Sequence, residues 1–264
     1  MDMGIAGRVA IVAGGSRGCG RGIAEALAAE GVKVVLTGRQ PDVVAAAAEG
    51  IAADGGTAHG LVADMTEAAG VDTIVAEARR VFGDPDILVV NAPSPQRREA
   101  THLRGFENCD DDDYLKMFEN HLLSQVRLTR ALLPAMKEKR WGRLLNIGTI
   151  AFKTPHQEDP MPATDAGRIG ITPLMRILSY EYGQYGITAN TIATGPFNSE
   201  LSAAYQATNP TIKTPEWYLK MLPVGRWGEP IEMGWLATFL CSDRAAFLTG
   251  EVIRLDGGYT KSLF

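Results

Sequence analysis

The sequence contains little cysteine. Its 264 residues include only Cys19, Cys109 and Cys241, which are widely separated along the chain. A disulfide framework or a zinc site requires cysteines, or cysteines with histidines, at short characteristic spacings. The sequence therefore predicts neither a metal centre nor disulfides, and reduced thiols are typical of a cytoplasmic protein.

Long apolar runs and an excess of basic residues are also missing. No uninterrupted apolar segment approaches the roughly 18 residues of a membrane span, and the first residues lack the pattern of a signal peptide. The net charge is −5 and the basic residues are scattered, so nothing indicates a nucleic-acid surface. Hydrophobic residues make up 45% and charged residues 22% of the chain, which predicts a globular protein without a membrane or nucleic-acid partner.

One glycine-rich stretch stands out near the start, with the sequence VAIVAGGSRGCGRG at residues 9–22. A short apolar run that ends in glycine is typical of a buried strand, and the residues that follow continue at helical spacing. Glycine is needed where the backbone turns tightly or approaches a ligand. The N-terminus of the following helix attracts anions such as pyrophosphate. The stretch therefore predicts dinucleotide binding, although a purely structural strand-to-helix turn would also use glycine.

Two arginines favour NADP(H) over NAD(H). The second predicted strand, at residues 32–37, ends at Gly38 and Arg39 without an acidic residue, and Arg17 lies in the glycine-rich loop. An acid at this strand end would bind the adenosine 2′-hydroxyl of NAD(H), whereas arginine suits the 2′-phosphate of NADP(H). Two guanidinium groups near one phosphate therefore predict NADP(H). The alternative is that both arginines are solvated surface residues.

Strands and helices alternate along the rest of the chain. Helices are predicted at about 41–53, 66–82, 114–134, 163–182 and 229–242, and strands at 58–63, 86–91, 143–148 and 187–192. This alternation predicts an α/β fold: a single Rossmann-like, doubly wound parallel sheet with helices on both faces and a ligand at the strand carboxyl ends. Asp64 and Asn91 each close a strand at that edge, so we expect them near adenine and ribose. His59 falls within a strand and is expected to pack or to lie at an edge.

An acidic run at residues 110–113 precedes the helical pattern that continues to Pro134. Clustered carboxylates can hold a metal ion, but acids in the first turn of a helix also stabilise it through the helix dipole. We expect the second role.

Short motifs at the ends of these elements match one known family. Gly14-x-x-x-Gly18-x-Gly20 has its glycine spacing, and Asp64 matches its aspartate after the third strand. Further matches are Val90-Asn91-Ala92-Pro93, Thr194-Gly195-Pro196-Phe197-Asn198-Ser199, residues 223–230 and Leu255-Asp256-Gly257-Gly258. Together these motifs resemble the short-chain dehydrogenase/reductase family along nearly the whole chain. The resemblance implies that Ser16, Met65, Gly195 and Pro196 join Gly14, Gly18 and Gly20 at the cofactor.

The active site that the resemblance implies lacks its usual tyrosine and lysine. The family carries Asn, Ser, Tyr and Lys, with the last two one turn apart on a helix. The flanking motifs place four other residues at these positions, in the same order: His121, Thr149, Thr164 and Arg168. A second register would place Met161 and Asp165 at the last two positions. In either register no tyrosine is available, since none lies between Phe152 and Ser179.

These replacements change the chemistry that the site can perform. A threonine hydroxyl is too weak an acid to transfer a proton near neutral pH, and arginine stays protonated. We expect Arg168 to hold the cofactor or to stabilise an oxyanion by its fixed charge. His121 is expected to titrate near neutrality and to be a candidate acid, unless it is a hydrogen-bonded residue that bridges two helices. Other candidate acids lie in the adjacent loop: His156, Glu158 and Asp159.

The remaining expectations concern the substrate and the assembly. Residues 196–222 correspond to the family's substrate lid, within one domain that spans residues 1–264. Leu201, Tyr205, Trp217, Tyr218 and Met221 make this lid apolar and aromatic, which suits a moderately hydrophobic small molecule or packing against the sheet. Residues 229–242 and the last strand resemble the surface through which family members form tetramers, so we expect a homotetramer or a homodimer.

The sequence thus predicts an NADP(H)-dependent oxidoreductase that transfers hydride to a carbonyl or an activated C=C bond. A conjugated C=C bond tolerates the missing tyrosine better, because oxyanion stabilisation and a proton from water can suffice. Two alternatives stay open. One is a non-redox lyase, isomerase or dehalogenase that uses Arg168, Thr149 and His121, and the other is a non-catalytic nucleotide-binding subunit.

Overall fold

A computed structural model describes residues 1–91, 105–153, 161–200 and 219–262. Its strands and longer helices follow one another along the chain as β1 (Val9–Ala13), α1 (Gly18–Ala29), β2 (Lys33–Gly38), α2 (Pro41–Ala53), β3 (Thr57–Val62), α3 (Ala68–Phe82), β4 (Ile87–Val90), α4 (Asp111–Phe118), α5 (Ser124–Lys139), β5 (Gly142–Thr149), α6 (Pro162–Ile169), α7 (Ile171–Tyr182), β6 (Ile187–Thr194), α8 (Pro230–Leu240) and β7 (Val252–Leu255). None of these helices is long and apolar enough to cross a membrane.

The described strands form one seven-stranded sheet in the order β3-β2-β1-β4-β5-β6-β7, and every pair is parallel. All five residues of β1 are buried, as expected for a strand that is covered on both faces. The strand order reverses between β1 and β4, and a ligand crevice opens at such a switch point in doubly wound sheets. The glycine-rich loop leaves β1 at this place.

Helices cover both faces of the sheet, which confirms the predicted fold class. On one face α1, α2 and α8 bury their apolar side chains, among them Ile23, Leu27, Val44, Ile51, Met233 and Leu240. On the other face α3, α5 and α7 do so, with Val71, Ile74, Leu128, Leu132, Met175 and Leu178.

Two of the predicted helices are interrupted. The helix expected at 163–182 is the pair α6 and α7, which are separated at Gly170. Pro173 has no N–H group and so cannot continue the helical hydrogen bonds across this position. The helix expected at 114–134 is α4, a π-helical turn over Glu119–Leu123 and α5, which runs past Pro134 to Lys139.

The acidic run begins a helix, as expected. Asp110 precedes α4 and accepts a hydrogen bond from the Asp113 backbone N–H at 3.0 Å, while Asp113 accepts one from the Asp110 backbone N–H at 3.2 Å. This reciprocal pair satisfies two N–H groups that the helix leaves unbonded. No group of three potential metal ligands occurs in the described residues. His59 lies on the edge strand β3, where its Nε2 is 2.9 Å from the Glu77 carboxylate, so the expectation of an edge residue is confirmed.

Candidate nucleotide and active site

The glycine-rich loop is folded so tightly that neither Gly14 nor Gly20 has room for a side chain. A Cβ on Gly14 would overlap the carbonyl oxygen of Asn91, and a Cβ on Gly20 would overlap the carbonyl oxygen of Gly14. Gly14 and Gly18 also have φ angles of +74° and +50°, a region that favours glycine. The glycine spacing that the sequence shows is therefore required by the backbone of the loop.

The start of α1 fits an anionic group. Arg17 precedes the helix in an extended conformation, and its side chain makes no capping hydrogen bond. The first turn also contains no acidic residue. The first N–H groups and the positive end of the helix dipole thus remain for a pyrophosphate.

Ser16, Arg17 and Arg39 come together at the end of β2. A Cβ on Gly38 would overlap the Ser16 hydroxyl, so the loop packs directly on this strand end. The Arg17 guanidinium donates a hydrogen bond to Oε1 of Gln40 at 2.6 Å, beside the exposed Arg39. The two arginines that the sequence singled out thus lie at one edge of the candidate site.

Asp64 and Asn91 shape the loops at the strand ends. Asp64 accepts hydrogen bonds from the backbone N–H and the hydroxyl of Thr66, at 2.9 and 2.8 Å. Asn91 donates to the carbonyl oxygen of Gly14 at 3.1 Å and thereby joins the end of β4 to the glycine-rich loop. Met65 buries its side chain in the core with Val71, so only its backbone is left to contact a nucleotide.

Gly195 and Pro196 connect the end of β6 with the C-terminal motifs. The Gly195 N–H donates to the Leu255 carbonyl oxygen at 3.0 Å, and the Pro196 carbonyl oxygen accepts from the Gly228 N–H at 3.2 Å. A Cβ on Gly195 would overlap Asp256. Three motifs that are distant in the sequence therefore meet at one edge of the sheet.

Arg168 occupies a central place in the candidate active site. Its guanidinium donates a hydrogen bond to the Gly148 carbonyl oxygen, next to Thr149 at the end of β5. Burial lowers the pKa of Arg168 from its ordinary value, while Asp165 and Cys19 raise it. Burial raises the pKa of Cys19, in the glycine-rich loop, to about 12, and the Arg168 charge opposes this shift. Burial lowers the pKa of His121, in the π-helical turn, and the Arg168 charge adds to that shift. Arg168 is thus a fixed positive charge near both the loop and the turn.

The expectation that His121 titrates near neutrality is wrong. Only 3% of His121 is exposed, and neither ring nitrogen has a hydrogen-bond partner. Burial, with a smaller contribution from the Arg168 charge, lowers the pKa of His121 to about 3. His121 is therefore neutral at pH 7. The alternative of a hydrogen-bonded residue that bridges two helices is also wrong.

The two threonines differ in their hydrogen bonding. The Thr149 hydroxyl accepts from the Ala151 N–H at 3.1 Å and begins a short 3-10 turn. The buried Thr164 hydroxyl has no hydrogen-bond partner and lies one turn before Arg168 on α6. In the second register, Met161 precedes the first residue of α6 and Asp165 lies in its first turn.

Sequence reasoning missed Gln125, which lies one turn after His121. Its side chain is buried, Nε2 donates to the Thr129 hydroxyl at 3.3 Å, and Oε1 has no partner. A polar residue four positions after His121, on the apolar stripe of the helix, is the signal that could have revealed it. The remaining candidates lie outside the described residues: His156, Glu158, Asp159, Leu201, Tyr205, Trp217 and Tyr218.

Comparisons with known proteins match nearly the whole chain. A sequence profile described as enoyl-(acyl carrier protein) reductase matches residues 13–260. The 3-oxoacyl-(acyl-carrier-protein) reductase FabG of Escherichia coli K12 is 32% identical over 257 residues, which cover 97% of this chain and 98% of that protein. The structure of L-sorbose reductase from Gluconobacter frateurii, complexed with NADPH and L-sorbose, covers all of both chains with 29% identity and a TM-score of 0.88. A short-chain dehydrogenase/reductase from Serratia marcescens has 27% identity and a TM-score of 0.84, and covers 97% of this chain and 98% of that one.

Proposed function

The chain belongs to the short-chain dehydrogenase/reductase family, and on this premise we propose that it is an NADP(H)-dependent oxidoreductase with an atypical active site. The fit of the glycine-rich loop and the α1 N-terminus to a pyrophosphate supports the dinucleotide. Arg17 and Arg39 at the end of β2 support a 2′-phosphate, and the similar L-sorbose reductase is described with NADPH. Asp64, Asn91, Gly195, Pro196 and the Met65 backbone are proposed to complete the cofactor site.

The proposed reaction is reduction of a C=C bond conjugated to a carbonyl group, in a moderately hydrophobic small molecule. NADPH supplies the hydride when it is bound. The observation that carries this proposal is the Arg168 guanidinium, which is anchored on Gly148 and lies near both the glycine-rich loop and His121. A fixed charge there would stabilise negative charge that develops on the carbonyl oxygen.

The hydroxyls of Thr149 and Thr164 are proposed to donate hydrogen bonds to the same oxygen. Neither hydroxyl is acidic enough to protonate carbon or oxygen at neutral pH, and the neutral His121 lacks the imidazolium proton that a general acid would transfer. We therefore assign the final proton to water. Ketone reduction needs an acid that protonates the alkoxide as it forms, so this site suits it less well.

Two other functions remain as candidates: a non-redox reaction on an anionic intermediate, and nucleotide binding without catalysis. The same observation, a fixed charge beside a neutral histidine, favours the non-redox reaction over ketone reduction. Weak NADPH binding would indicate the non-redox enzyme, and tight binding without turnover of any substrate would indicate the non-catalytic subunit.

The test measures NADPH affinity by titration calorimetry and NADPH consumption with a panel of enones and the matched saturated ketones. We expect turnover of enones above that of the ketones. Arg168→Ala should lower kcat for the enone by about a hundredfold, in the range for loss of one oxyanion-stabilising group, whereas Arg168→Lys should restore part of it. Tight NADPH binding without turnover of any enone would overturn the proposed reaction.

We further propose that residues 1–264 form one domain, that residues 196–222 act as the substrate lid, and that the chain assembles as a cytoplasmic homotetramer. Two sets of exposed apolar residues, called patches below, support the assembly. The first patch is the set Leu115 and Phe118 on α4 and Ile177 and Tyr180 on α7. The second is the pair Val224 and Phe247, which flank α8 in the sequence. Two kinds of self-complementary contact would build a tetramer.

A further inference from the structure

The partly buried Arg168 guanidinium has no counter-charge in contact with it among the described residues. Asp165, one turn earlier on α6, acts on it through its charge but forms no ion pair with it. Cys19 supplies no negative charge at neutral pH, because burial raises the pKa of its thiol to about 12. Taking a cation out of water without a paired anion is costly. An anionic group of a ligand would therefore be stabilised at this place.

Arg168 also keeps most of its hydrogen-bonding capacity. A guanidinium carries five N–H donors in a planar fork. Nη2 donates to the Gly148 carbonyl oxygen, and this is the one hydrogen bond of the side chain to the part of the chain that the structure describes. The donors on Nε and Nη1 remain for a ligand. Such a fork binds two oxygens of one planar anion through parallel, charge-assisted hydrogen bonds.

The guanidinium lies where a doubly wound sheet binds its ligands. Gly148 is the second-to-last residue of β5, and Cys19 lies in the glycine-rich loop that follows β1, so Arg168 is at the carboxyl ends of the strands. The Thr149 oxygen accepts a hydrogen bond from the Ala151 N–H, which leaves the hydroxyl proton of Thr149 for a second acceptor. A charged fork and a neutral donor thus occur together beside the proposed cofactor site.

We propose that the substrate carries a carboxylate next to its reacting carbonyl group, so that its class is the 2-oxo-3-enoates. This inference rests on the function proposed above and names the substrate class for it. The Arg168 fork donates one hydrogen bond to a carboxylate oxygen and a parallel one to the C2 carbonyl oxygen, and Thr149 donates to the C2 oxygen. Arg168 therefore selects the acid and also stabilises the negative charge that develops on the C2 oxygen.

The overall change balances with the reductant already proposed. NADPH supplies a hydride when it is bound. The substrate gains this hydride at C4 and a proton from water at C3, so that the C3=C4 bond becomes a single bond. The products are the saturated 2-oxo acid, NADP⁺ and the hydroxide that is left from the water. The carboxylate is unchanged, which means that it serves recognition and is not consumed.

The test compares (E)-2-oxo-4-phenylbut-3-enoate with its methyl ester, which lacks the negative charge. Affinity is measured without turnover, by calorimetry of the full-length protein with the two saturated analogues, 2-oxo-4-phenylbutanoate and its methyl ester, in the absence and presence of NADP⁺. We expect the acid to bind at least about tenfold more tightly than the ester, as for a hydrogen bond to a charged group. The kcat/KM values for the two enones should differ by a similar factor.

Three variants assign this preference to Arg168. Arg168→Met removes the charge and should make the affinities for acid and ester nearly equal. Arg168→Lys keeps the charge but loses the planar fork, so it should retain part of the preference. Arg130→Met, at an exposed position of α5, makes the same change in net charge and should keep the full preference.

Equal affinity of the wild type for acid and ester would overturn the inference, and this comparison needs no variant to fold. A preference that Arg168→Met keeps, or that Arg130→Met loses, would also overturn it. Turnover of the ester and the acid at equal efficiency would support the proposed reduction and overturn the substrate class. Acid-selective binding that depends on Arg168, without turnover of either enone, would support carboxylate recognition and overturn the proposed reduction.

Discussion

Arg168 and His121 form an unusual pair, a partly buried cation near a buried neutral imidazole. Burial lowers the pKa of both groups, and the Arg168 charge lowers that of His121 further. His121 is therefore not a titrating group at neutral pH. Arg168 also interacts electrostatically with Cys19 of the glycine-rich loop. Its positive charge therefore lies near the proposed cofactor site.

The buried His121 should make the protein less stable in mild acid. The unfolded chain takes up a proton on this histidine below about pH 6.5, whereas the folded chain does so only near pH 3, so stability falls as the pH falls between these values. The loss should be about 2 kcal/mol between pH 7 and pH 5. Denaturant unfolding at both pH values should show that His121→Gln removes this component, while His59→Gln on the edge strand keeps it. An unchanged pH dependence in His121→Gln would contradict the buried neutral state.

Arg39 should decide the cofactor preference. Arg39→Glu places a carboxylate where the 2′-phosphate is proposed to bind, and should lower NADPH affinity by at least about tenfold, since a lost charge-assisted hydrogen bond costs about 1.5–3 kcal/mol. NADH affinity should stay equal or rise. Lys33→Glu makes the same charge change at the other end of β2 and is the control. Equal losses of NADPH affinity in both variants, measured by calorimetry, would mean that only the overall charge matters.

At the level of elements, the glycine-rich loop and the interrupted helices do most to position the site. The π-helical turn carries His121, and α6 ends at Ile169, one residue after Arg168 and just before the break at Gly170. Gly167 brings α6 close to α4, because a Cβ there would lie 2.7 Å from the Met117 carbonyl oxygen. Short helices packed backbone to backbone thus hold Thr164 and Arg168 near the turn.

A Cβ at Gly20 should damage the loop. Gly20→Ala forces apart Gly20 and the Gly14 carbonyl oxygen, and it also crowds the Asn91 amide at 2.7 Å. The free energy of unfolding should fall by roughly 1–3 kcal/mol, and NADPH binding should weaken because the loop is displaced. Gly183→Ala, which has open space and an αR backbone, should be neutral or stabilising by about 0.4–1 kcal/mol. Thermal unfolding measures the change in stability, and calorimetry measures the change in NADPH affinity. Equal changes in Gly20→Ala and Gly183→Ala would refute the argument that a side chain at Gly20 clashes with the loop.

For the whole molecule, the two exposed apolar patches determine the expected assembly. Wild-type protein should sediment as a tetramer. Ile177→Glu and Phe247→Glu should each give dimers, because each introduces a charge into one kind of interface, and the double variant should give monomers. Val62→Glu, at an exposed position of the edge strand β3 outside both patches, should remain tetrameric. A tetramer that persists in Ile177→Glu would exclude the α4 and α7 patch as an interface.

Much of the fold was predictable because its signals are local. Apolar runs that end in glycine marked β1 and β2, helical spacing marked α2 to within its observed bounds, and the alternation of both predicted the parallel sheet. The acidic run at the start of α4 was also interpreted correctly from local physics. The two helix interruptions were missed, because neither a π-helical turn nor the effect of Pro173 changes the apolar periodicity enough to be seen.

The sequence by itself determined the sheet, the glycine-rich loop and the residue types at the candidate active site. Only the tertiary structure decided their chemical states. Whether His121 is protonated depends on its distance from water and on the charge of Arg168, 47 positions further along the chain. Local patterns encode backbone conformation, whereas desolvation and electrostatic potential are sums over neighbours that the fold brings together.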